Sequence, residues 1–424
     1  MKFHPALSFL FSLGLALAPA QAAPTPPAPA GAQDEVPQIY CYPGRNLAQV
    51  KEMIRQGDPC VKQSYEFLMK AADQALSVKP GSVMDKPTVA ASGDKHDYFS
   101  YAPFWWPDPT KTDGLPYIKR DGYTNPSSKV GTDAYPFFHL CSNVDALADA
   151  YYFTGQEIFA TKAALLLRVW FLNPATAMNP SLNYAQAIPG GVHGRAEGLI
   201  ELRRLTEICD ATELITPSGA WTTDDQKAFR QWHERYQNWL AHEKLPVDDT
   251  STENNHKSWD DIQIIQIAIV LGKKDYARTF LQSEFPRLLE MQLNSVGGQP
   301  YELARAWSLH YSIFNIEALL HLATLGDAIG VDCWKFSTKD HNNLKSALDF
   351  VVPYVDPAKP WPIKDVTPAN RGRLLPMIVQ AYDYDHDPKY KALLDQFCKD
   401  GDGAWRLVWP YRPLTLVTVP TAQP

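Results

Sequence analysis

Two short runs carry side chains whose types and spacing could do chemistry. Asn254-Asn255-His256-Lys257-Ser258-Trp259 sets two amides, an imidazole and an indole at the opening of a helical run, Asp260 to Leu271, that closes at Gly272. A single Asn suffices to cap a helix, because its oxygen accepts one orphan backbone N–H. The second amide is spare. His256 and Trp259 stand one turn apart, on one face. Taken alone, this reads equally well as a cap with a packed histidine. The second run changes the balance: Arg305, then Ser308 and Tyr311. Together Asn255, His256, Arg305 and Tyr311 suit proton abstraction beside a carboxylate, as in β-elimination on a uronic acid. The C5 proton of a uronate is only weakly acidic, and its removal requires the neighbouring carboxylate to be neutralised. Amide and guanidinium donors do that without losing a proton themselves. Tyr can take a proton as phenolate and return it to the leaving oxygen, and an adjacent Arg favours the phenolate. His is the other candidate base near neutral pH.

Other chemistries find less support. Glycoside hydrolysis needs two carboxyls facing across a bond. The acidic pairs Asp224-Asp225, Asp248-Asp249 and Asp260-Asp261 are adjacent in sequence, and neighbours on a helix point about 100° apart. Asp224-Asp225 also follows Thr222-Thr223 at a helix start, where acids suit the dipole. His233 and His242 lack the H-E-x-x-H spacing of a zinc protease, and no C-x-x-C occurs. No metal and no cofactor is expected. His193, in Gly190-Gly191-Val192-His193-Gly194-Arg195, lies on a flexible turn entering a helix. Its turn lets His193 and Arg195 reach a cleft, where Arg195 would bind a second carboxylate. Equally, Arg195 would pair with Glu197 or Glu201 on its own helix.

The elements that must position these groups are nearly all helical. Leu47–Ser77 reads as two helices around Gly57-Asp58-Pro59. Further helices are predicted at 162–172, 194–208, 224–243, 275–292, 308–325, 342–352 and 374–382. Three segments repeat one pattern, around Thr154-Gly155, Leu271-Gly272 and Asp385-His386: an apolar helix end, a tight turn, and an aromatic-led helix. Such αα-hairpins cannot bury their apolar faces alone and must stack. Ile262, Ile264, Ile265, Ile267, Ile269 and Val270 leave little polar stripe, so their helix is expected inside or sandwiched. The fold expected is all-α, an α/α toroid or incomplete α/α barrel of about a dozen helices, with a solenoid as the alternative. Strand-like alternation occurs only at Leu414–Val419. One region departs from this texture. His96–Pro136 is dense in Pro, Gly, Asp and aromatics, among them Tyr101, Trp105 and Trp106. Pro at that density forbids a long helix, and a long ordered loop in a compact domain is often functional. It reads as an aromatic plug over the core or as a wall on which sugars stack, with Tyr101, Trp105, Trp106 and Trp259 as the stacking residues.

Asn254-Asn255-His256-x-x-Trp259 resembles the motif of the alginate lyase domain family. So do Arg305-x-x-Ser308-x-x-Tyr311-Ser312-x-Phe314-Asn315, the Tyr101–Pro109 segment, and Asp113-Gly114-Leu115-Pro116-Tyr117 with Arg120-Asp121-Gly122. The likeness covers about residues 95–325. It implies a helical toroid of polyuronate lyases that needs no cofactor. Asn255 and Arg305 would be neutralisers, His256 base or proton partner, and Tyr311 acid, or both base and acid. Arg305 and Tyr311 stand one residue closer than in the best-known bacterial periplasmic branch, which resembles a second branch that includes glucuronan-degrading members. The expected activity is cleavage of alginate or a related β-1,4-linked polyuronate, leaving an unsaturated uronate. Glucuronan lyase, glycoside hydrolase and non-catalytic binding of an acidic glycan are the alternatives.

Composition bounds the rest. The chain has 424 residues, 45% hydrophobic and 12% aromatic, enough for a large core. Residues 1–22 read as a secretory signal: Lys2, an apolar Leu7–Leu17, and Ala20-Gln21-Ala22. The apolar stretch is too short for a membrane span. A Pro/Ala-rich spacer follows to residue 34, and 35–424 is expected to form one domain, secreted or periplasmic and monomeric. Six cysteines in an oxidising compartment permit bridges, Cys41–Cys60 being the expected pair. The net charge of −7 argues against a nucleic-acid partner. An acidic polysaccharide would therefore need a local basic cleft.

Overall fold

The computed structural model describes residues 36–245 and 252–397. The expected leader, spacer and C-terminal strand, with Cys398 and Asp248-Asp249, lie outside them. The Cys60 side chain is likewise not described, so the Cys41–Cys60 bridge stays an expectation.

The chain folds as the hairpin periodicity predicts. α1 (Gly44–Gln56) and α2 (Pro59–Leu76) flank Gly57, whose positive φ of 70° ends α1. α3 (Ala134–Thr154) turns through Gly155 into α4 (Glu157–Leu167), which runs on as a π turn at Arg168–Leu172. The predicted helix over 194–208 divides into a 3₁₀ turn, Ala196–Leu202, and α5, Leu205–Ile215. α6 (Thr223–His242) opens with a capping box in which Thr222 and Asp225 exchange hydrogen bonds, so this acidic pair serves the helix start. α7 (Asn255–Val270) turns at Gly272 into α8 (Lys274–Gln292). A single turn, α9 (Pro300–Leu303), precedes α10 (Ser308–Ile329). α11 (Leu344–Val351) follows, then α12 (Leu374–Asp385), which turns at His386 into α13 (Pro388–Phe397). The result is the expected all-α toroid, with thirteen α-helices among the described residues.

Two hydrophobic cores meet at α7. Ile267 and Leu271, with Ile264 beside them, pack with α3–α6; Ile262, Ile265, Ala268 and Ile269 pack with α8 and α10–α13. That is why this helix shows no polar stripe: it is a wall shared by two layers.

Four short strands are present that alternation in the sequence does not announce. β1 (Phe99–Tyr101) pairs in parallel with β4 (Tyr184–Ala187), and β2 (Trp105–Trp106) pairs antiparallel with β3 (Ile118–Lys119). At two to four residues they are too short for a period to show. They brace the Pro-rich loop against the helices. The Glu201 carboxylate strengthens the brace, accepting from Tyr98 Oη at 2.9 Å and Ser100 Oγ at 2.6 Å, while Ser100 Oγ accepts the Gln186 N–H at 2.7 Å.

Candidate functional site

Four of the sequence-predicted residues, Asn255, His256, Arg305 and Tyr311, are carried to one region by two helix starts and one loop. Asn254 is the N-cap of α7, its Oδ1 accepting the His256 N–H at 3.0 Å. Asn255 is the first helical residue and is 1% exposed, and His256 beside it is half-buried. Asn255 is not a free amide. Its backbone N–H donates to Glu302 Oε1 at 2.7 Å, and its Nδ2 reaches Oε1 and Oε2 at 2.9 and 3.0 Å. Beneath it Gln292 donates to Asn254 O and accepts from Asn315, which also donates to Gln299.

Arg305 lies in the loop between α9 and α10, so it escapes the separation of about 120° that six residues of continuous helix would put between Arg305 and Tyr311. Its Nε and Nη2 form a bidentate pair with Asp121 at 3.1 and 2.7 Å, and Ala306 N–H donates to the same carboxylate. Asp121 arrives on the Pro-rich loop. Gly122 makes the close approach possible: its φ is 77°, and a Cβ there would stand 2.9 Å from Val366 and 3.3 Å from Ala306. The Arg305 guanidinium sits 3.7 Å from the centre of the Tyr311 ring. Ser308 is not exposed to a ligand. Its N–H and Oγ both donate to Asp365, which caps α10 from a distance.

Tyr311 is 8% exposed. Burial pushes its hydroxyl up to about 12, against the pull of Arg305, so the phenol is protonated at neutral pH. Its neighbour His310 stacks on Trp307 at 3.8 Å and contacts Tyr311 edge-on at 5.3 Å. Burial, then Arg373, Arg203 and Arg305, push that imidazole down to about 3. It is therefore neutral, and Arg373 Nη1 at 3.2 Å from its Nδ1 makes Nδ1 the acceptor and Nε2 the protonated nitrogen. Arg203 and Arg373 also flank Phe314, at 5.5 and 5.7 Å. Arg373 pairs with Glu317, Arg204 with Glu207, and Arg305 with Asp121. Arg203 makes no ion pair among the described residues; it donates to Ile200 O. Against a net charge of −7, the guanidiniums gathered around Tyr311 thus leave Arg203 to meet an anionic ligand, the other three being paired.

The remaining candidates separate. Trp105 and Trp106 are half-buried on β2, with Arg195 over the first ring at 5.9 Å and Arg120 over the second at 5.3 Å. Arg195 pairs with Glu197, so the local pairing read from the sequence is present. Tyr101 packs edge-on against Phe99 at 4.9 Å. His193 is exposed on its turn. Trp259 is 5% exposed and stacks on Phe314 at 5.0 Å, so its ring belongs to the floor behind the site. Sequence reasoning missed Glu302, Asp121's pairing with Arg305, Arg203, His310 and Arg373. Only Asp121 carried a signal, as part of Arg120-Asp121-Gly122. The other acidic pair in the described residues, Asp260-Asp261, is buried, with Asp261 paired to Lys257.

Comparison with known proteins adds a family. The family model described as alginate lyase matches residues 82–361. An alginate lyase from Bacteroides ovatus is 35% identical, with a TM-score of 0.83, over 89% of this chain and 99% of that one. Alginate lyase A1-III from Sphingomonas species A1 is 17% identical, with a TM-score of 0.45, over 78% of this chain and 89% of that one. A search of the curated proteins finds no match.

Proposed function

Because this chain belongs to the alginate lyase family, we propose that it cleaves a β-1,4-linked polyuronate, alginate foremost, by β-elimination. His256 takes the C5 proton, the C5–H electrons form the C4=C5 double bond, and the C4–O bond breaks. Tyr311 returns a proton to the leaving oxygen. Asn255 and the guanidiniums around Tyr311 neutralise the substrate carboxylate, Arg203 among them standing outside any ion pair of the described residues. Arg195, His193, Tyr101, Trp105 and Trp106 line the path of flanking sugars. The observation that carries this reading is Tyr311 itself: a phenol kept protonated by burial, under a guanidinium at 3.7 Å, is built to start as an acid. This supports the imidazole of His256 as the base. The leader at residues 1–22 supports secretion, and no helix among the described residues is long and apolar enough to cross a membrane. The enzyme acts as a monomer without a cofactor.

Incubation with alginate, polymannuronate, polyguluronate and glucuronan tests the reading. A new ultraviolet absorbance from the unsaturated end sugar is expected, and the substrate giving it names the polymer. Reducing ends without that absorbance would mean hydrolysis, and no product from any uronan would mean a binding protein.

A further inference from the structure

The chemistry above gives Glu302 no part, yet its carboxylate joins the two halves of the site. It sits on the single turn α9 and is 1% exposed. Burial raises its pKa, while the Asn255 hydrogen bonds, Arg305 and His256 hold it down. A buried carboxylate is costly unless donors surround it. Here its hydrogen-bond donors are the backbone and side-chain N–H groups of one residue, Asn255, forty-seven positions earlier.

This arrangement fixes an orientation. An Asn amide turned by 180° would set Oδ1 against the carboxylate, acceptor on acceptor, so Glu302 selects the rotamer with Nδ2 toward α9. Both Nδ2 contacts fall on one carboxylate, so one N–H serves them and the other is left over. Asn255 Oδ1 is buried and finds no partner among the described residues. An unpaired buried carbonyl destabilises a fold, and such groups in native structures call for a reason. Glu302 also stands three residues before Arg305. The same side chain therefore sets the spacing between the start of α7 and the arm that carries Arg305 and Tyr311.

We propose that Glu302 is the positioning residue of the reaction, locking the Asn255 amide so that its second N–H and its Oδ1 face the reacting sugar. The inference rests on the lyase reading. Glu302 touches no substrate and acts through Asn255.

The test is a double-mutant cycle of E302Q, N255A and E302Q/N255A. The kcat and KM are measured on the uronan that the wild type cleaves, well below the lowest melting temperature of the set. E302Q is expected to lower kcat roughly 10²-fold, the scale of one misplaced preorganised donor, with KM within about threefold. N255A in the E302Q background is expected to cost little more, because the two act as a unit. A purely structural Glu302 lowers the melting temperature but leaves kcat intact; that result, or losses that multiply, overturns the inference. If E302Q does not fold, E302D keeps the charge and withdraws it by one methylene, and the same kcat loss is expected. A wild type inactive on every uronan overturns the lyase reading instead, and with it the catalytic part of this inference. The melting temperatures of the same cycle then still read the Asn255–Glu302 coupling, whose absence overturns the positioning claim by itself.

Discussion

At the scale of single residues the site is defined by what holds each group, more than by the groups alone. Tyr311 keeps its proton because burial outweighs the guanidinium above it. Tyr311→Phe keeps the ring and removes the proton donor, so kcat is expected to fall roughly 10²–10⁴-fold with KM little changed. A steady-state comparison that finds the variant within a few-fold of wild type moves the acid elsewhere. The pH dependence follows from the same shift. An acid must be protonated to act, and Tyr311 stays protonated below about 12. The alkaline limb of kcat/KM, which reports free-enzyme groups, should therefore not fall near pH 10 on account of this phenol. Asp121 makes the complementary case. It fixes Arg305 by two hydrogen bonds, and Asp121→Asn breaks the bidentate geometry without removing any group that touches substrate. A loss of roughly 10- to 10²-fold in kcat is expected, the scale of a small displacement in a reacting array. Unchanged kinetics in that variant would show that Arg305 holds its place unaided.

At the scale of elements, the start of α7 was half legible. The sequence leaves Arg305 open between the loop and the helix edge, whereas Asn254 as cap follows from local rules, since a cap depends on neighbours in sequence. The partners of Asn255 and Arg305 do not. Glu302 and Asp121 stand forty-seven and one hundred and eighty-four residues away from them, and no periodicity connects them. The short strands escaped for the same reason, as pairings between distant segments too brief to alternate. The missing partner matters for stability. A reading of one capping Asn and one free Asn makes Asn255→Ala harmless to the fold, whereas the contact with buried Glu302 makes it costly. Asn254→Ala is expected to cost about 1 kcal/mol with a modest kinetic effect. Asn255→Ala is expected to cost about 1–3 kcal/mol, since it strips donors from a buried carboxylate, and to lower kcat about 10²-fold or more. Melting temperatures and turnover of both variants separate the two roles. Equal turnover losses would place both amides in the reaction.

At the scale of the whole molecule, this polysaccharide lyase carries several carboxyls whose pKa is raised by burial. Glu201 and Asp210 are pushed to about 7, Asp133 and Asp261 to about 6. A carboxyl with a folded pKa above its unfolded value binds protons more tightly in the native state. Stability therefore falls as pH rises from the unfolded value through the folded one. These carboxyls favour pH 5 over pH 8. Against them stand the buried His310 and His233, whose pKa values, pushed down to about 3 and 4, cost stability below the usual histidine range. With four carboxyls against two imidazoles the protein is expected to melt at a higher temperature near pH 5, and scanning calorimetry across that window checks it. Glu201→Gln isolates one contribution, because the amide oxygen still accepts from Tyr98 and Ser100. It should raise the melting temperature at pH 8 and leave it nearly unchanged at pH 5. A variant that melts earlier at pH 8 would show that the negative charge at Glu201 stabilises the brace.

The helix that carries Asn255 and His256 is the wall common to both hydrophobic cores. Neither half of the ring of helices can come apart while keeping that helix buried on both sides. Partial opening of one half strips one face of α7 and removes the scaffold of the proposed catalytic pair at the same moment. The lyase therefore has no half-open form that still works. Its catalytic competence and its folding cooperativity meet in one segment, and loss of activity on heating or in denaturant is expected as soon as either half of the ring opens.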